Sequence, residues 1–126
     1  MVYHELMETW TLSWSKLLPL NKENIEKLDK NIAGVYRISR EEESKTIVFF
    51  ISETKDLKND LLNILNTGSN ECVDATVKSY SCYFRYSIIE EINVIEATLR
   101  KMYKVYQPQC NQNDIQAGEN IEVNLN

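Results

Sequence analysis

The chain has 126 residues, 43% hydrophobic and 26% charged, with 19 Asp and Glu against 14 Lys and Arg and a formal net charge of −5. This fits one soluble globular domain, 1–126, long enough to bury a core without staples. It argues against nucleic-acid binding, where affinity comes from Lys and Arg releasing counterions from phosphates. No apolar run approaches the roughly 20 residues that span a bilayer, so no membrane partner is expected. The start, MVYHELMETW, lacks the apolar stretch of a signal peptide. The expected compartment is the cytoplasm.

Three cysteines occur, Cys72, Cys82 and Cys110, with no CxxC pair, and His4 is the single histidine. An odd count without paired spacing disfavours a disulfide framework and a zinc site. The plain reading is three small buried hydrophobes.

In METWTLSWSKL, Trp10, Leu12 and Trp14 alternate with polar neighbours, which predicts a half-buried strand. LNKENIEKLDKN predicts a short helix capped by Asn21, with Ile25 and Leu28 inward and Lys30 near its end. GVYRIS (34–39) and TIVFFIS (46–52) read as two strands joined by the charged turn REEESK, an antiparallel hairpin. The nearly continuous apolar run of the second predicts a central strand buried on both faces. ETKDLKNDLLNILN predicts a helix capped by Thr54 or Asp56, with Leu57, Leu61, Ile64 and Leu65 on one face and Gly68 at its stop. SNECVDATVKSY is left open between a short helix and irregular chain. CYFRYSII (82–89) reads as a strand. EEINVIEATLRKMYKVY (90–106) reads as a helix with Ile92, Ile95, Leu99, Met102, Tyr103 and Tyr106 in one stripe, ended by Pro108. IEVNL, in the polar tail, suggests an added edge strand. The expected class is α+β: a small mixed, mainly antiparallel sheet flanked by helices.

GVY, about a dozen residues, and then FFISETKDLKNDLLNIL resembles the GIY-YIG nuclease domain. Gly34, Val35 and Tyr36 match that family's first motif. Phe50, Ile51 and Ser52 occupy the second with two substitutions, and ETKDL matches the turn into the helix. Glu96, Pro108 and Asn111 follow the later pattern of a metal-binding Glu and a P-x-x-N ending. The resemblance covers 30–111, leaving an N-terminal strand and helix and a C-terminal tail as additions.

The resemblance implies phosphodiester cleavage with one divalent metal, Mg2+ or Mn2+, if the chain is catalytic. Glu96 would hold the metal, two tyrosine hydroxyls would sit near water and phosphate, and a helix arginine would clamp the phosphoryl oxygens. Tyr36 is present. Phe50 lacks the hydroxyl of the second tyrosine. Ser52 replaces a glycine. The arginine position, counted from the second motif, is Asp60. A charge of the wrong sign there repels phosphate by roughly 4 kcal/mol at an effective dielectric near 20. Arg37 and Arg85 are the neighbouring-strand candidates to compensate.

The set Tyr36, Phe50, Ser52, Asp60, Glu96 and Asn111 therefore reads as a vestigial site with no catalytic residue assigned. Glu96 is the metal candidate; no other cofactor is implied. Glu41, Glu42 and Glu43 read as a solvated turn, because calcium-loop spacing is absent. YSCYFRYS, with Arg85, has the makings of a stacking platform for bases, against the plainer reading of core and sheet surface. The expected function is a non-catalytic interaction or binding module; the alternative is a nuclease rearranged around Tyr36 and Glu96. The partner is unnamed by the sequence. A protein fits the charge better than a nucleic acid does.

Overall fold

A computed structural model describes residues 8–68, 70–111 and 121–125. His4 and the tail from 112 to 120 lie outside the described residues. The elements run β1 (Glu8–Thr11), β2 (Leu18–Pro19), α1 (Lys22–Glu26), β3 (Gly34–Glu42), β4 (Lys45–Thr54), α2 (Leu57–Thr67), α3 (Glu71–Ser79), β5 (Cys82–Ile88), α4 (Ile92–Tyr106) and β6 (Ile121–Asn124). β2, β5, β3 and β4 form, in that order, a four-stranded antiparallel sheet. β1 and β6 pair in parallel as a separate ribbon. The fold is α+β, an antiparallel sheet flanked by helices.

Local chemistry sets most of the boundaries. The β3–β4 hairpin turns through Glu43 and Ser44, both at positive φ, the conformation of a two-residue primed turn. Asn21 caps α1 by accepting from the Asn24 N–H, and Asp56 caps α2 by accepting from the Asn59 N–H. Gly68 closes α2 in the left-handed conformation. The open segment after it is a helix, α3, whose cap Asn70 accepts from the Val73 N–H. Its sequence is polar because it buries only Val73.

The sheet separates two apolar clusters. On one face Tyr36, Ile38, Phe49 and Phe84 pack with Ile25, Leu57, Leu61 and Val73 from the first three helices. On the other, Val35 and Ile51 pack with Val94, Ile95, Ala97, Leu99 and Met102 of α4, together with Leu12 and Val123. Thr98 is buried in α4 with its hydroxyl donating to the Val94 carbonyl oxygen at 2.7 Å. Ile92, expected in the stripe, is 63% exposed. Ile95, Leu99 and Met102 of the stripe are buried as expected, and the buried face widens to Val94, Ala97 and Thr98 because α4 is covered by β3, β4 and the β6 ribbon together.

Two further expectations are corrected. The 46–52 run is part of the edge strand β4, not of a central one. Its apolar continuity comes from a bulge opposite Ile38 and Ser39, which leaves Phe49 and Phe50 packing toward the same cluster. Its open edge is closed by a short segment of chain: the Cys110 N–H donates to the Phe49 carbonyl oxygen at 2.8 Å, and the Asn111 amide bonds both the N–H and the carbonyl of Ile51. The cysteines are not three free thiols. Cys72 and Cys110 are disulfide-bonded, tying α3 to this edge segment, and Cys82 alone is free and buried. Burial pushes the Cys82 thiol up to about 11.

Gly34 starts β3 at φ +152°, and a β-carbon there would stand 2.0 Å from the Ser87 carbonyl oxygen and 2.8 Å from the Ile89 nitrogen. Gly34→Ala must therefore displace backbone between β3 and β5. We expect a loss of about 3 kcal/mol or more, in the range of clashes at constrained backbone positions, read from urea unfolding. Reducing the Cys72–Cys110 bond, which spans 38 residues, should cost about 4 kcal/mol on the loop-closure account. Urea midpoints with and without reductant check this, and a midpoint unmoved by reductant would remove the bond from the fold's stability.

Candidate functional site

Alternation along β3 and β4 puts Tyr36, Phe50, Ser52 and Thr54 on the face covered by α2. Tyr36 lies directly opposite Ser52, and Gly34 opposite Thr54. The Tyr36 and Phe50 rings sit 6.2 Å apart, tilted by 55°. Tyr36 is 3% exposed. Asp60 reaches in from the first turns of α2, and its carboxylate accepts from the Thr54 hydroxyl. That hydroxyl in turn accepts from the Asp56 N–H at 3.1 Å. The turn Glu53–Asp56 is thus locked by one threonine serving both the helix start and the carboxylate.

Electrostatics follow from this packing. The Tyr36 phenol is pushed up to about 12, first by burial; Ser52 pulls it back and the Asp60 charge adds to the rise. A phenol so placed stays protonated and is poorly reached by water. Where the resemblance calls for a guanidinium, a carboxylate stands beside the tyrosine.

Asn111 reaches the backbone of Ile51, between Phe50 and Ser52. Glu96 is half-buried on α4, which packs on the opposite face of the sheet. Among the described residues no hydrogen bond or ion pair joins it to Tyr36, Ser52 or Asp60. The Asn111 amide is occupied at the β4 edge by Ile51. No group of three or more His, Cys, Asp or Glu among the described residues could hold a metal ion. The donor set around Glu96 therefore does not fit a divalent cation held by protein ligands alone.

The other flagged side chains have structural partners. The Tyr83 hydroxyl donates to Glu41 at 3.0 Å and the Tyr80 hydroxyl to Glu42 at 3.2 Å, while Arg40 lies over the Tyr80 ring and pairs with Glu42. Phe84 and Tyr86 stack on each other, 6.4 Å apart. The acidic turn is thus pinned to β5 and its approach by tyrosine hydroxyls. Thr54, read from the sequence as a candidate helix cap, also holds the Asp60 carboxylate, a contact six residues on that its place in the sequence did not signal.

No protein-family model matches the chain, and no curated protein matches its sequence. Among solved structures it is similar to two crystal structures of the GIY-YIG N-terminal endonuclease domain of UvrC from Thermotoga maritima, each a tyrosine-to-phenylalanine point mutant bound to its catalytic divalent cation. Identity is 21% in one case and 22% in the other, with a TM-score of 0.53 in both, over 74% of this chain and 100% of that domain. The chain has a GIY-YIG-like fold.

The Tyr36 environment has a pH signature. Its folded pKa, about 12, lies above the ordinary 10.0, so the native state holds the proton more tightly than the unfolded chain does. The resulting stability is complete below pH 10 and is lost as pH rises through 12, on the order of 3 kcal/mol in all. Urea midpoints at about pH 9 and about pH 11.5 should diverge more in the wild type than in Tyr36→Phe. Equal losses in the two proteins would mean that the buried phenol does not resist ionisation.

Proposed function

We propose that the chain is a non-catalytic module on the GIY-YIG-like fold, a domain that binds or positions a partner and does not cut phosphodiester bonds. One observation carries this reading: the Asp60 carboxylate, held by Thr54, stands beside the buried Tyr36. A phosphodiester brought to this face would meet a negative charge and no guanidinium, a repulsion of roughly 4 kcal/mol at about 4 Å and an effective dielectric near 20. The missing donor would cost a further factor of about 100 or more in rate. Phe50 removes a second hydroxyl, and Glu96 stands on α4, whose buried residues pack with Val35 and Ile51. The net charge of −5 steers the domain toward a partner with a basic surface, and so toward protein before nucleic acid.

The test is a cleavage assay on single-stranded, duplex and branched DNA and RNA, with Mg2+ and with Mn2+, beside the Glu96→Ala variant. We expect both proteins, folded by circular dichroism, to leave every substrate intact. Metal-dependent cutting by the wild type that vanishes in Glu96→Ala would overturn the reading and place the chain among nucleases with Glu96 as their metal residue.

A further inference from the structure

The face of the sheet covered by α4 carries a second arrangement, independent of Tyr36 and Asp60. Arg37 in β3 and Arg85 in β5 stand directly opposite each other in the strand register. Like charges so placed repel. Arg37 is also 7% exposed, and an interior arginine is ordinarily matched by a carboxylate. Here no carboxylate among the described residues pairs with either guanidinium. Arg37 Nη1 donates to the Tyr106 hydroxyl at 2.9 Å. Its guanidinium lies 4.5 Å from the Trp14 ring centroid and 5.2 Å from that of Tyr106. Arg85 Nε donates to the Ser15 carbonyl oxygen at 2.9 Å.

The aromatic rings hold Arg37 in place, and cation–π contact offsets part of its desolvation. They supply no net negative charge. A second donor at the same place is also unanswered: Trp14 Nε1 is buried with no hydrogen-bond partner. Native proteins rarely leave such a group without an acceptor. Two guanidinium groups and an indole N–H thus stand close together, with no anionic partner among the described residues.

We propose that Arg37 and Arg85 form a binding site for one phosphoryl-type oxyanion, with Trp14 Nε1 as a further donor. The half-buried Arg85 forms its entrance and Arg37 its floor. Guanidinium groups match the oxygen geometry of a phosphoryl group through paired N–H donors. A dianion also balances both charges, whereas a monocarboxylate leaves one uncompensated. The bound group would bridge β3 and β5 and remove the repulsion between them.

The experiment uses the full chain with inorganic phosphate as the probe, at constant ionic strength set by chloride. Thermal unfolding and isothermal titration are run on the wild type, Arg85→Gln and Arg37→Met. We expect a saturable rise in midpoint and a measurable heat of binding in the wild type, with affinity at least tenfold weaker in Arg85→Gln. Arg37→Met, which removes the buried charge, should lose binding while unfolding no earlier than the phosphate-free wild type. If that variant fails to fold, the half-buried Arg85→Gln decides the matter. Adenosine 5′-monophosphate serves as a second probe. Affinity tenfold above that of inorganic phosphate would identify a nucleotide as the source of the phosphoryl group, and equal affinity would identify free phosphate; either outcome upholds the site. Wild type and Arg85→Gln responding alike, or phosphate acting no differently from chloride, would overturn it.

Discussion

Successive side chains of an extended strand point to opposite faces. In this chain that alternation bears most heavily on β3, which has a partner strand on each side and a helical layer on each face. Val35 and Arg37 go to the α4 side; Tyr36 and Ile38 go to the side of the first three helices. Gly34 fixes the phase, because only a residue without a β-carbon lets the start of β3 pass the Ser87 carbonyl. A slip of one residue would exchange Tyr36 with Arg37 and bury a charge among Leu57, Leu61 and Phe84. The tyrosine face and the arginine face are consequences of one register, so neither can be altered without straining the other.

The edge of β4 is the second constraint. An edge strand with apolar residues invites pairing with another chain. This chain meets that hazard with the amide of Asn111, which acts as one residue of a missing strand, and with the Cys110 N–H. Pro108 and the left-handed Gln107 turn the chain out of α4 so that this segment runs back along β4. The disulfide then fastens the same segment to α3. The P-x-x-N ending is in this chain a device for closing a sheet. A disulfide is uncommon in a reducing cytoplasm, so the bond and the compartment expected from the N-terminal sequence pull in different directions. Among the described residues no helix is long and apolar enough to cross a membrane.

What was legible in the sequence was local. The caps Asn21, Asp56 and Gly68 were readable because each acts on backbone groups within three residues. The hairpin was readable from its charged turn, and the first motif from three consecutive residues. What failed was non-local. Periodicity alone put Ile92 in the α4 stripe, but the buried face depends on a ribbon made from the two ends of the described chain. The apolar density of Ile47–Ile51 reads as central, yet a bulge in strand pairing produces it. Cys72 and Cys110 carry no spacing signal because their meeting depends on where α3 and the end of α4 lie in space. Of the candidate site, Tyr36, Ser52 and Asp60 lie together in the fold, since two share a strand register and the third lies one turn into the following helix. Glu96 and Asn111 were grouped with them by motif order, and order along the chain does not say how far their side chains stand from Tyr36.

The two faces together give the domain an electrostatic direction that its net charge hides. Beside Tyr36 stands Asp60, with no arginine or lysine among its hydrogen-bond or ion-pair partners in the described residues. Behind the same strand stand Arg37 and Arg85, with no carboxylate paired to them in the described residues. The carboxylate would repel a phosphate on the Tyr36 face, and the paired arginines would attract one on the other. The sheet lies between them, because neighbouring side chains of one strand point to opposite faces. Under the two proposals made above, the charge that would hold a phosphate and the residues that would cleave it belong to different faces of β3.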